Sequence, residues 1–67
     1  MLRVIDNTHF NVFGFAGGTS DIGINGANLP KGKYYDKPIA SSSYAIDVDT
    51  DESYIFNETT QIWRKQA

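Results

Sequence analysis

The chain has 67 residues, 40% of them hydrophobic and 21% charged, with a net charge of −2, no cysteine and one histidine. That is one small folded domain without disulfides or thiolate metal sites, in a size range that leans on oligomerisation for stability. Six Lys and Arg spread along the chain give no basic stripe for nucleic acid, and no apolar run nears the ~20 residues that span a bilayer.

Residues 1–32 hold all six glycines, Gly14, Gly17, Gly18, Gly23, Gly26 and Gly32, which argues against long helices there. Leu2 to Ile5 reads as a short strand, and Asp6-Asn7-Thr8 as a turn. His9 to Phe15 reads as a second strand, with Phe10 and Val12 on one face and Asn11, Phe13 and Phe15 on the other. Aromatic rings on both faces suggest burial on both, with a partner subunit covering one side. Ala16 to Asp21 reads as a loop, Ile22 to Ile24 as a short strand, and Asn25 to Pro30 as a further loop. The glycines match no phosphate-binding pattern and read as turn formers.

The second half is more regular. Lys33-Tyr34-Tyr35 reads as a short strand, and Pro38 with Ser41-Ser42-Ser43 as a connection. Tyr44 to Val48 alternates with period two, Tyr44, Ile46 and Val48 on one face and Ala45 and Asp47 on the other. Asp49-Thr50-Asp51-Glu52 and Asn57-Glu58-Thr59-Thr60 are turns, flanked by strands at Ser53–Phe56 and Gln61–Lys65. The expected fold is all-β: a single small domain over residues 1–67, with a Gly/Asn-rich β and loop segment over 1–32. An antiparallel hairpin meander follows over 33–65, and oligomerisation is expected to complete the domain.

Residues with chemical potential are few. Asp47-x-Asp49-x-Asp51 with Glu58 follows the spacing of a calcium loop, but Glu52 stands where that loop requires Gly, and strands flank it instead of helices. An ordinary acidic turn is the better reading, with calcium as a weak alternative, and no cofactor is expected. His9 has no Cys to accompany it, the Ser candidates Ser20, Ser41, Ser42, Ser43 and Ser53 sit in loops or at strand ends, and a domain this small seldom encloses an enzyme pocket, so catalysis is not expected. Asn57-Glu58-Thr59 fits a glycosylation sequon, but without a signal peptide it is read as coincidence. Tyr34, Tyr35, Tyr44, Tyr54 and Trp63 can form an aromatic face for sugar or protein contact, or simply fill a small core.

The runs Leu29-Pro30-x-Gly32-x-Tyr34-Tyr35, Ile46-Asp47-Val48-Asp49-Thr50 and Ser53-Tyr54-Ile55-Phe56-Asn57-Glu58-Thr59-Thr60-x-x-Trp63 resemble a module of tailed-bacteriophage structural proteins. The resemblance covers residues 29–64, and Asp51 stands where many such proteins carry Gly after Asp-Thr. It implies a non-enzymatic virion component, a head decoration or head fibre, present in many copies and often trimeric. A tail-associated or host-surface glycan-binding module is the alternative. The implied partners are further copies of the chain and other phage structural proteins such as capsid or tail proteins. The implied location is the virion, after synthesis in the host bacterial cytoplasm. Phe10, Phe13, Phe15, Tyr44, Tyr54, Phe56 and Trp63 are the residues expected at contacts between copies.

Overall fold

The computed structural model describes residues 2–9 and 11–66. Seven strands are present: β1 (Arg3–His9), β2 (Val12–Gly17), β3 (Lys33–Tyr34), β4 (Lys37–Pro38), β5 (Tyr44–Asp47), β6 (Glu52–Asn57) and β7 (Ile62–Gln66). Five of them form one sheet in the order β1-β2-β5-β6-β7, and β3 and β4 form a separate hairpin. The all-β expectation and the meander from β5 to β7 are as the sequence reads. The β2–β5 join is different, because these two strands run parallel.

A parallel join needs a long crossover, and residues 18–43 supply it. The crossover contains one helical turn, α1 (Thr19–Ile22), then a 3-10 turn at Ile24–Gly26, then the β3–β4 hairpin. Both helical turns fall where the sequence suggests a loop and a strand. Gly18 and Gly23 bracket α1, and the backbone N–H of Gly18 is held by Asp21 Oδ2 at 3.1 Å. Gly23, at φ 80°, ends the turn, so glycine geometry and a local carboxylate override the weak strand preference of Ile22.

β1 corrects a second expectation. Asp6-Asn7-Thr8 does not turn the chain; the strand runs on to His9 and absorbs those residues as register shifts between Val4 and Asp6 and between Asp6 and His9. The chain reverses later, with Asn11 at φ 65°, a conformation that Asn tolerates.

The crossover lies over one face of the sheet and closes the core. Phe13, Phe15, Ala45, Tyr54, Phe56 and Trp63 point into it from the sheet, and Ile22, Leu29 and Ile39 cover them. Trp63 fixes the closure, since its indole Nε1 donates to Pro30 O at 2.8 Å. Gly26 passes so close that a Cβ there would lie 3.2 Å from Trp63 Cβ. Within β5 the inward pair is Ala45 and Asp47, both almost fully buried, while Tyr44 and Ile46 face the other side. The small and hydrogen-bonded side chains are the ones that fit beneath the crossover.

The two meander turns are built alike. Asp47 Oδ1 accepts from the N–H groups of Asp49 and Thr50 at 2.9 and 3.2 Å, and Asn57 Oδ1 accepts from Thr59 and Thr60 at 2.9 and 3.3 Å. Each turn closes with a backbone bond of 2.8 Å, Asp51 N to Asp47 O and Gln61 N to Asn57 O. Each ends on a residue at positive φ, Asp51 at 62° and Gln61 at 59°. Asp51 thus occupies the left-handed position for which Gly is suited in the resembling pattern.

Candidate functional site

Five of the seven residues expected between copies are buried within a single chain: Phe13, Phe15, Tyr54, Phe56 and Trp63 are each at most 4% exposed. They belong to one core cluster, in which four of the rings are in contact. Phe13 and Phe15 lie parallel at 5.7 Å, and Trp63 meets Phe15 edge-on at 6.1 Å and Phe56 at 4.9 Å. The crossover supplies the second layer that the sequence reading assigned to a partner, so these rings are core. Phe10 lies outside the described residues, as does the side chain of His9.

Of the six that are described, Tyr44 alone sits on the opposite face of the sheet. Its ring covers Gly14, where a Cβ would come within 2.4 Å of it, and its hydroxyl donates to Asp6 Oδ2 at 3.3 Å. Partial burial and the Asp6 charge raise its phenol above the ordinary value. The suggested tyrosine face does not form as one surface. Tyr34 packs inward on Phe13 and Phe15, Tyr54 and Trp63 are buried, and Tyr35 is 84% exposed on the β3–β4 turn.

The calcium-like quartet is not assembled either. The Asp47 carboxylate is taken up by Thr19 Oγ1, at 2.8 Å from Oδ2, and by the two turn N–H groups. Burial pushes its pKa up, but those hydrogen bonds outweigh burial and hold it below the ordinary carboxylate value. Asp49 Oδ2 accepts from Thr19 N at 3.0 Å. Glu58 belongs to the next turn, where it exchanges bonds with Ser41: Glu58 N donates to Ser41 Oγ at 2.9 Å and Ser41 N to Glu58 Oε1 at 3.4 Å. Among the described residues no group of three or more His, Cys, Asp or Glu is placed to hold a metal.

Two exposed surfaces remain. The first is the face of the sheet away from the crossover. Cross-strand register places Gly14, Tyr44, Ile55 and Arg64 in one row and Ala16, Ile46, Ser53 and Gln66 in the next. Ile62, 53% exposed, extends this face at its edge. On the same side a shallow groove of about 280 Å3 is lined by Ser41, Ser42, Ile55, Phe56, Asn57, Arg64 and Gln66. The second is the β3–β4 hairpin, which carries Tyr35 among exposed lysines. Alternation marked the Tyr44 and Ile46 face correctly as a set; only the identity of the inward set was hidden.

The sheet edges are poorly suited to strand pairing. β1 is irregular along its length, and β7 carries exposed Arg64 and Lys65, features that discourage edge-to-edge association. Comparisons with protein families, with curated proteins and with solved structures find no match for this chain.

Proposed function

We propose that this chain is a non-enzymatic structural subunit of a tailed-bacteriophage virion, self-associating, with a trimer favoured, and attached to the capsid as a head decoration or head fibre. The resemblance over residues 29–64 supplies the phage setting. The observation that carries the assembly role is the asymmetry of the sheet. One face is closed by the chain's own crossover, and on the other Ile55 and Ile62 are exposed beside half-buried Tyr44 and Ile46. A sheet face is normally completed by a second layer, and clustered exposed apolar groups mark contact surfaces. The contact residues are therefore reassigned from the core rings to this face.

Light scattering coupled to size exclusion tests the reading. The wild-type chain should elute as a closed oligomer, and Ile55→Lys, at a position already 37% exposed, should stay folded and elute as a smaller species. A wild-type chain that stays monomeric and folded at high concentration would sink it.

The groove beside Ile55 favours a second reading, a host-surface glycan-binding module. Its lining combines two serines, two amide side chains and Arg64 with Ile55 and Phe56, a mix of polar and apolar groups that suits a sugar ring. Binding on a glycan array that is lost in Arg64→Ala would select it, and a blank array would remove it.

A further inference from the structure

Three of the six cationic residues fall within seven positions, Lys31, Lys33 and Lys37. With Asp36, the segment 31–37 carries +2, while the rest of the chain carries −4. All three lysines are exposed. The ion pair seen among the described residues joins Lys65 to Glu52 and involves none of them.

The turn of this hairpin is Tyr35-Asp36, at φ 49° and 68°. A two-residue turn with both residues at positive φ suits strand twist but favours Asn-Gly or Asp-Gly, and a bulky side chain there is strained. Tyr35 nevertheless holds the first position, 84% exposed and edge-on to Tyr34 at 4.6 Å. Neither burial nor turn geometry accounts for an aromatic at that point. Strain retained at an exposed position points to use of the side chain.

A tyrosine ring rimmed by ammonium groups complements an apolar group rimmed by carboxylates. The chain presents such a group itself on the turn between β5 and β6, where Val48 is 58% exposed and Asp49 and Asp51 are exposed beside it. We infer that the β3–β4 hairpin docks on the 48–51 turn of a second copy, with Tyr35 against Val48 and the lysines facing Asp49 and Asp51. The two patches are different, so the contact is head-to-tail and closes into a ring or extends as a chain of copies. The inference rests on the self-association proposed above, but it uses a surface separate from the open sheet face.

Sedimentation velocity across a concentration series, at low and high salt, tests it. Lys33→Glu/Lys37→Glu should weaken association by about tenfold or more, and salt should weaken the wild type in the same direction. Asp49→Asn/Asp51→Asn should weaken it comparably, and combining the two pairs should add little, because both remove one contact. Tyr35→Asn separates docking from folding: Asn tolerates the turn, so the variant should melt a few degrees higher yet associate less. An oligomer indifferent to all three changes but broken by Ile55→Lys overturns the hairpin contact and keeps the sheet-face reading. A wild-type monomer overturns both, and its retention on heparin through Lys33 and Lys37 would point to a polyanion instead of a second copy.

Discussion

The hydroxyl of Thr19 donates to Asp47 Oδ2 at 2.8 Å and lies 3.1 Å from Oδ1, tying the first turn of the crossover to the end of β5. Asp47 is 2% exposed, and the same carboxylate organises its own turn through the N–H groups of Asp49 and Thr50. One charged group therefore fixes both a local turn and the parallel join of the sheet. Its folded pKa lies below the ordinary 3.8, since the hydrogen bonds outweigh the effect of burial. A depressed folded pKa means stability that is present above the unfolded value and lost as pH falls through the folded one. The difference in melting midpoint between wild type and Asp47→Asn should be constant above about pH 5 and shrink steadily below it. A difference that is flat down to the acid limit would show that Asp47 is not held as a carboxylate.

What was legible in the sequence was local. Asp49-Thr50-Asp51-Glu52 and Asn57-Glu58-Thr59-Thr60 read as turns because Asp, Asn and Thr bond nearby backbone, although the side chain that organises the first turn is Asp47, which the alternation places in the strand. The crossover was not legible, because its closure depends on partners such as Pro30 and Trp63 that lie 33 positions apart. Without it, Phe13, Phe15 and Trp63 looked like rings in need of a second subunit. Asp6-Asn7-Thr8 misled for a related reason: its turn preference is overruled by pairing with β2, which leaves irregular register in place of a reversal. The Tyr35 strain had no sequence signal, since it exists only once Lys33 pairs with Pro38.

Gly14 and Tyr44 form a second interlocked pair. An added Cβ at position 14 would meet the Tyr44 ring at 2.4 Å, so Gly14→Ala must displace the ring and break its hydrogen bond to Asp6. Overpacking of this kind costs about 1–3 kcal/mol. In a Tyr44→Ala background the same substitution should be nearly neutral, and urea denaturation of the four chains gives the coupling. Simple additivity would show that the ring does not shield Gly14.

Ser43 is fully buried at the start of β5, where its Oγ accepts from Phe13 N at 3.0 Å and its carbonyl accepts from Phe56 N at 2.9 Å. It joins β2 to β6 just before β5 takes its place between them. Ser43→Ala leaves the Phe13 N–H without a partner in the core, at a cost of about 1–3 kcal/mol. Amide exchange should report this locally, with Phe13 losing protection and the Phe56 amide retaining it relative to global stability. Equal loss at both amides would assign the effect to general loosening.

Gln61 sits at φ 59° in the second meander turn, and its amide Nε2 donates to Glu58 O at 2.7 Å. The left-handed conformation is unfavourable for a side chain of this length, whereas glycine adopts it freely. Gln61→Gly should therefore stabilise the chain by up to ~1 kcal/mol, the strain relief exceeding the loss of one exposed hydrogen bond. A thermal melt that moves downward would mean that the Glu58 contact matters more than the backbone.

Trp63 distinguishes the core from the contact surface. It is 4% exposed, touches Phe15 and Phe56, and anchors the crossover at Pro30. Truncation of a buried Trp to Ala costs about 3–5 kcal/mol, and a chain of this length has only roughly 3–10 kcal/mol to lose at the usual per-residue stability. Trp63→Ala should thus be largely unfolded even when dilute, by loss of near-ultraviolet circular dichroism. Trp63→Phe keeps the ring packing but not the bond to Pro30, and should remain folded with a lowered midpoint. The contrast with Ile55→Lys decides the assignment: that variant should keep its melt and associate less, whereas the Trp63 variants should lose stability first. A folded, monomeric Trp63→Ala chain would return Trp63 to the interface and remove it from the core.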